Sequence, residues 1–539
     1  MIRSPHGMGT GGRTVGTRGS AACFRRPARR GLRWGVGTLA ALLLALPAAC
    51  VSPQSADVEA NLAKAGGNRP QLERVLQHYQ QSGDTLKLQA ARFLIANMDG
   101  HGFAEMVMYD EGKHEVPYDA LAYPDVRAAT EALDALEKQH GKLRSDRKSL
   151  SPDLETVTAD FLIENIDLAF QAWREKPWAG KMPFPTFCEV VLPYRGGKEP
   201  LNSTRPACLA RYADLPKRMK DPSDPREAEQ LIVQDVDGWI RFNELFYFHP
   251  TEQSFAEMCR RGQGRCGDIS NMQMYALRAN AVPVARDFTP LWANRDNNHA
   301  WVVVLDEQGV GRAPLSAVAA KVYRTTFVKQ RASLAARSRP DEKLPYWLSR
   351  WNFADVTPQY VETTDVTARL TQPAPAGTRV AYICVFNEGE WQPVHWGEIQ
   401  DGHVTFTQMG RNAAYLPAYY VNEKVVPAGP PFSVTKTGAV RELTGTNEAK
   451  TPLRLEATAP EGLYGAGEAA KPPTHLEAGR RYELLVWDNG WVSAGEQSAE
   501  GATLTFDAVP TGRLYWLVVK DARKLERIFT IEDGRQVWW

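Results

Sequence analysis

From Gln71 to Asp99 the chain reads QLERVLQHYQQSGDTLKLQAARFLIANMD, with Leu72, Val75 and Leu76, then Leu86, Leu88, Ala91, Phe93 and Leu94, on either side of Ser82-Gly83-Asp84. Apolar residues recurring at steps of three and four predict amphipathic helices, and the Ser-Gly-Asp break predicts a turn, so the stretch reads as a helical hairpin. YPDVRAATEALDALEKQHGK and TADFLIENIDLAFQAWREKPW carry the same period. Residues 71–180 are therefore expected to be mainly helical, and the small, polar residues 51–70 before them read as a tether.

After Arg350 the texture changes. Long helical runs give way to short alternating runs with Asn-Gly, Asp-Gly and Glu-Gly turns, which predict strands and hairpins. YICVFNEGEWQPVHWGEIQDGHVTFTQMGRNAAYLPAYY and YELLVWDNGWVSAGEQSAEGATLTFDAVPTGRLYWLVVK match in order: Phe386 with Trp487, Trp391 with Trp491, Gly397-Glu398 with Gly495-Glu496, Thr405-Phe406 with Thr505-Phe506, Tyr415 with Tyr515. An ordered repeat of strand, turn and tryptophan implies two similar sandwich or barrel units, residues 351–440 and 441–539. Tryptophans at strand spacing belong to a core by default; exposed ones would offer a glycan-binding surface.

Between these regions lies the stretch with the strongest chemical content. DISNMQMYALRANA follows Cys266-Gly267 as a mostly apolar helical run, which puts Cys266 at or just before a helix start. Unpaired N–H groups and the helix dipole there stabilise a thiolate, the species that attacks carbonyls. VPVARDF and HAWVVVLD are short β runs bracketing TPLWANRDNN, so His299 stands at the beginning of a strand. A cysteine on a helix and a histidine on a strand suit nucleophilic catalysis, whereas an inert core thiol beside an incidental imidazole is the bland alternative.

Length and composition bound these readings. A chain of 539 residues is too long for one core and suggests three or four domains. Lys plus Arg number 64 against 63 Asp plus Glu, without the clustered basic face that a nucleic-acid partner requires. Seven cysteines do not make a disulfide scaffold; Cys188, Cys208, Cys259, Cys266 and Cys384 lie beyond the first fifty residues, an odd number that leaves a free thiol. No pair has zinc-site spacing, and neither a metal nor a cofactor is expected. The basic, acid-poor stretch through Arg33, followed by WGVGTLAALLLALPAAC, reads as a secretory signal (residues 1–50); its apolar run is short of the roughly 20 residues a bilayer span needs. Cys50 after Ala48-Ala49 resembles the lipid-acceptor cysteine of bacterial lipoproteins, with Pro47 where such signals usually carry leucine. The expected location is the periplasm or cell envelope, with membrane contact only through an N-terminal lipid anchor.

GRCGDISNMQMYALRANAVPVARDF, followed by NNHAWVVV, resembles the transglutaminase-like cysteine-histidine core, whose pattern is G-x-C at a helix start, a later A-L-R-A-x-G-I-P and H-A-W on a following strand. The longer chain, with FLIENIDLAFQAW, VHWGEI, MGRNAAYLPAYY and RIFTIEDGRQVWW, is similar to large transglutaminase-like lipoproteins of bacteria. The resemblance implies a multidomain α+β fold: the helical N-terminal region, a papain-like α+β core over residues 181–350, and the two C-terminal all-β units. It gives Cys266 the role of nucleophile and His299 that of base, in acyl transfer at an amide of a peptide, protein or cell-wall fragment. Hydrolysis is favoured over crosslinking, since no acceptor-amine site or calcium loop is evident.

Two departures stand out. The glycine before I-P is Ala281 here, where a helix-ending positive φ would be costly. The family's third residue, an aspartate on the strand after the histidine strand, has no counterpart in DEQGVGRAPLSAV. Asp306 lies seven residues from His299, over roughly 20 Å along an extended strand, and reads as a turn residue. Asp287 is the candidate that orients His299: antiparallel pairing of VARDF with HAWVVV around Ala293 would set it opposite Ala300. Asn294, Asn298 and Ser316 are alternatives, as is a cap or surface role for Asp287. In FCEVVLPYRGGKEPLNSTR, the charges Glu189, Arg195 and Glu199 read as an ion-paired strand end, with substrate contact the alternative. Its Asn-Ser-Thr would accept a glycan only in a eukaryotic secretory route. A chain lacking a third catalytic group would be a weakened enzyme that binds peptide or glycan in its cleft or on its β units; a purely structural envelope protein is the remaining reading.

Overall fold

The computed structural model describes residues 53–249, 251–460, 475–519 and 526–539. The expected signal and Cys50 lie outside these residues. Helices Arg69–Ser82 and Thr85–Ala96 meet at Gly83, which takes the left-handed conformation (φ 71°) that ends the first, while the Asp84 carboxylate accepts from Lys87 N at 3.0 Å to start the second. Residues 53–64, expected within a tether, form a helix instead. Val58, Leu62 and Ala65 are buried, and Asn61 Nδ2 donates to the Ile95 and Ala96 carbonyls at the end of the second hairpin helix. Its apolar stripe is short and set among small polar residues, so composition hides it.

A second difference lies within residues 71–180, where a three-stranded antiparallel sheet interrupts the helices: Gly102–Tyr109 runs between Glu115–Val116 and Arg144–Pro152. The outer strand RSDRKSLSP is mostly exposed and has no apolar alternation, so its pairing comes from the neighbouring strand and leaves no periodic signal. The helices Val126–His140 and Ala159–Glu175 form where the period places them, the latter burying Leu162, Ile166, Ala169 and Phe170. The chain is thus multidomain α+β with several β-sheets, and no helix of the described residues is long and apolar enough to cross a membrane.

At the middle of the largest core lies the helix Cys266–Ala279, in which every residue from Asp268 onward except Ile269 is buried. It packs against an antiparallel sheet of His299–Val304, Val284–Thr289, Tyr323–Thr325 and Phe353–Asp355, in that order. A helix so enclosed must satisfy its own polar side chains. Gln273 Nε2 donates to Asp237 at 2.7 Å, Asn271 Oδ1 accepts from Arg286 at 2.8 Å, and Arg278 donates to the Val190 and Arg195 carbonyls. The helix ends through Ala281, which adopts φ 52° while wholly buried, the strained left-handed position where a glycine would sit without cost. Val282 N and Ala281 N close the last turn on Leu277 and Arg278 carbonyls.

Arg195 lies in the same core rather than at a strand end. Residues Phe187–Val191 form a π-helical turn, and the Arg195 guanidinium is buried against the Asp153 carboxylate (Nη2 to Oδ1 2.5 Å, Nε to Oδ2 2.9 Å). Glu199 accepts from the Gly196 and Gly197 amides, closing the loop on itself.

The repeat read in the C-terminal half has a structural counterpart strand by strand. In the first unit the central path runs Glu390–Gln400, Val380–Asn387, Ala413–Val421, Phe432–Val434 and Val440–Glu442; in the second it runs Trp491–Ser498, Arg481–Trp487, Tyr515–Val519, Ile528–Glu532 and Arg535–Trp538. Each hairpin carries a register shift at the same place, Ile383/Cys384 and Leu484/Leu485, and each pairs aromatics at its end, Phe386 with Trp391 and Trp487 with Trp491. Tyr415 and Tyr515 both donate to the carbonyl five residues upstream, at 2.6 Å. The tryptophans that define the repeat meet one another: Trp391 and Trp487 are 5.8 Å apart edge-to-face, and both are buried in one apolar cluster with Phe386, Leu514 and Trp539. This is packing between the two units, each of which also has its own core.

Replacing Leu277 by alanine removes a wholly buried side chain from the central helix and should destabilise the protein by about 2–5 kcal/mol. Urea unfolding followed by circular dichroism measures this; a loss below about 1 kcal/mol would show that the helix is not the packing centre.

Candidate active site

Cys266 is the first residue of the buried helix, preceded by Arg265 in extended conformation (φ −80°, ψ 172°). The start is tied down by Asp268, whose buried carboxylate accepts from Arg265 N at 3.1 Å and from Gln253 Nε2 at 3.2 Å. Gly264 is required two residues before the thiol, because a Cβ there would lie 2.7 Å from Asp268 Cβ. A Cβ on Gly267 would meet nothing within 4 Å, so the side of the first turn is open. Cys266 is half-buried, and its Sγ lies 3.7 Å from the Tyr247 hydroxyl. Burial and the neighbouring thiol push the Tyr247 hydroxyl pKa up, so it stands as an O–H donor at neutral pH. Sequence reading passed over Tyr247, nineteen positions away in a stretch with no motif.

His299 begins the edge strand of the sheet that this helix covers. Ser270, one turn along from Cys266, donates through Oγ to the carbonyl of Ala300 at 3.5 Å, so the first turn of the helix and the first residues of the strand lie together. The imidazole keeps an edge open to solvent, but two indoles pack against it: Trp301 at 5.3 Å between ring centres and 26° between planes, and Trp292 at 6.3 Å and 23°. Desolvation by these neighbours, reinforced by the Arg295 charge, lowers its pKa below the ordinary value and favours the neutral ring, the form that accepts a proton.

Asp287 stands elsewhere than expected. The observed register sets it opposite Trp301 and sets Thr289 opposite His299, one residue off the predicted pairing. In a sheet a slip of one residue changes faces; Asp287 thereby shares the face of His299 but two positions along. It is wholly buried, and both oxygens are engaged, Oδ1 with Arg324 Nε and Oδ2 with Arg324 Nη2, each at 2.8 Å, with Tyr360 adding its hydroxyl at 2.7 Å. Tyr360 in turn accepts from Trp301 Nε1 at 3.1 Å. Asp287 therefore reaches His299 only through Tyr360 and the stacked Trp301. Asn294 Oδ1 is occupied by Val318 N at 2.9 Å, Ser316 is exposed, and Asp306 forms the expected turn, accepting from Gln308 and Val310 amides. Among the described residues, neither nitrogen of His299 has a hydrogen-bond partner.

The loop leading to His299 is held from the C-terminal units. Asn387, wholly buried, donates to the carbonyls of Trp292, Arg295 and Asn297 at 3.0, 2.9 and 3.1 Å and accepts from Asn297 N at 3.1 Å. Arg527, also wholly buried, donates to the Ala293 carbonyl at 3.0 Å, to Asp296 Oδ1 at 3.2 Å and to carbonyls of Phe386 and Trp539. Nothing in the sequence pattern singles out either residue, since their partners lie about 90 and 230 positions away. Among the described residues no group of three or more His, Cys, Asp or Glu is arranged to hold a metal ion, and Cys188, Cys208, Cys259, Cys266 and Cys384 are free thiols. No model of a known protein family matches this chain, and a comparison with curated proteins finds no match either.

Exchanging Asn387 for aspartate replaces a donor to three carbonyls by an acceptor, a loss worth about 1–3 kcal/mol locally. Hydrogen exchange read by mass spectrometry should speed up at least tenfold across residues 290–298, with the Cys266 helix unchanged. Unaltered exchange in that loop would show that Asn387 does not hold it.

Proposed function

We propose that this protein is an exported thiol-dependent acyl-transfer enzyme of transglutaminase-like type, tethered at the cell envelope through Cys50, which hydrolyses an amide bond in a peptide, protein or cell-wall fragment. The observation that carries this reading is the convergence of the open first turn of the Cys266 helix with the start of the His299 strand. In it the neutral imidazole takes the Sγ proton, the thiolate adds to the amide carbon, and the imidazolium protonates the departing amine. Water, deprotonated by the same imidazole, then cleaves the thioester and releases the acid. In this reading the first-turn N–H groups and the Tyr247 hydroxyl, 3.7 Å from Sγ, supply the donors to the developing oxyanion. Asp287 acts as a positioning residue, fixing Tyr360 and through it the indole on which His299 rests.

One observation favours a second reading, a weakened relative that binds peptide or glycan without turning it over: the His299 nitrogens lack an orienting partner among the described residues. Alkylation by iodoacetamide, quantified by mass spectrometry, separates the two, with the exposed Cys259 as a reference thiol in the same molecule. The enzyme reading expects Cys266 to react at least about tenfold faster than Cys259 at pH 7. Because the His299 pKa is lowered, the imidazole remains an effective base below the ordinary value of 6.5, and the acid limb of the rate should fall below that pH. His299→Ala should abolish the advantage and Tyr360→Phe reduce it. Equal labelling of the two thiols, indifferent to His299→Ala, would replace the enzyme by the binder.

A further inference from the structure

A cavity of about 750 Å³ adjoins the thiol: Tyr247, whose hydroxyl is 3.7 Å from Cys266 Sγ, and Arg265, the residue before Cys266, both form part of its wall. Seven cationic side chains line it: Arg195 and Arg278 are engaged by the Asp153 carboxylate and by backbone carbonyls respectively, and the other five, Arg147, Lys198, Arg265, Arg286 and Arg350, come from five separate segments. None of the five is within ion-pair distance of a carboxylate among the described residues, in contrast to Arg195 in the same wall, which Asp153 neutralises. The carboxylates lining it are Glu252 and Asp146, so cations prevail.

The cations gather about Glu252 and Lys198, whose backbone amide donates to Glu252 Oε2 at 2.8 Å. Arg265 and Arg286 lie about Glu252: burial pushes that carboxyl pKa up, but their field, with Arg350 and the Lys198 amide, outweighs burial and holds it below the ordinary value. Arg147 and Arg350 lie about Lys198, where partial burial and the two like charges together push the ammonium pKa down. Two guanidiniums are held in place before any ligand arrives, Arg286 by Asn271 Oδ1 at 2.8 Å and Arg350 by the Tyr346 hydroxyl at 2.9 Å and by the rings of Tyr346 and Trp347. Five cations facing Glu252 and Asp146 leave an excess of positive charge in the cavity, and an anion entering between them lowers the cost of that repulsion.

We propose that this cavity is a binding site for a peptide segment bearing at least two carboxylates, presented beside Cys266 as the acyl donor. Five cations carried by five separate segments suit several carboxylates spaced along a chain, whereas a single phosphate calls for donors converging on one point. Met106, Met108 and Phe288 supply apolar wall for the chain that carries them. That the segment is the acyl donor rests on the acyl-transfer reading; its affinity for the cavity does not.

The test is therefore made in Cys266→Ala, where no chemistry occurs, by calorimetric titration of N-acetylated tri-glutamate amide against its tri-glutamine counterpart and against inorganic phosphate. The tri-glutamate peptide should bind at least tenfold more tightly than either, and about tenfold less tightly in Lys198→Gln and in Arg286→Gln. Lys198 is exposed, so its replacement leaves the fold intact. Equal binding of the glutamate and glutamine peptides, or tighter binding of phosphate, would overturn the proposal. Selective glutamate binding together with an inert wild-type thiol would uphold the site and fail the enzyme reading, so the two outcomes are separable.

Discussion

A helix enclosed on all sides can leave only its ends in contact with solvent, and the rest of this protein is arranged around that constraint. From Asp268 to Ala279 the Cys266 helix is sunk between helices and a sheet, with Ile269 alone partly open, so its polar side chains must be matched one by one by Asp237, Arg286 and the Val190 and Arg195 carbonyls. What remains accessible is the first turn, where unpaired N–H groups and the dipole favour negative charge. The thiol stands there, beside Arg265 and Tyr247 in the wall of the open cavity.

The second member of the site is placed by a different means. His299 opens an edge strand and follows an irregular loop, and such a loop has no rigidity of its own. Here the two β units provide it: Asn387 from the first and Arg527 from the second contribute buried donors to loop carbonyls, and Asp296 answers the charge of Arg527. A buried guanidinium is tolerated only when nearly every N–H is engaged, so the clamp is tightly specified. The repeated tryptophans serve the same end by fastening the units together. On this view the C-terminal half is scaffolding for the loop before His299.

Much of this architecture was legible. The helical hairpin, the helix after Cys266, the strands on either side of TPLWANRDNN and the duplicated β pattern all follow from apolar period and turn residues, because one face of each element is buried. The failures have physical causes. The helix at residues 53–64 buries too few side chains to show a period, and the strand Arg144–Pro152 is paired through its backbone while its side chains stay in water. The register of Asp287 depended on the course of the loop before His299, which Asn387 and Arg527 hold from the C-terminal units in addition to the loop's own Trp292–Asn297 bond.

The sequence by itself determined which residues begin the helix and the strand, and therefore that Cys266 and His299 each stand at an element's edge, since local period and punctuation decide where elements start. Only the tertiary structure decided that Asp287 is bound to Arg324 and Tyr360, that Tyr247 meets the thiol, and that five cations gather beside it. Those are contacts between segments tens to hundreds of residues apart, and no local pattern encodes them. They come from the way separate elements bury their apolar faces, and side chains meet only once those faces are closed.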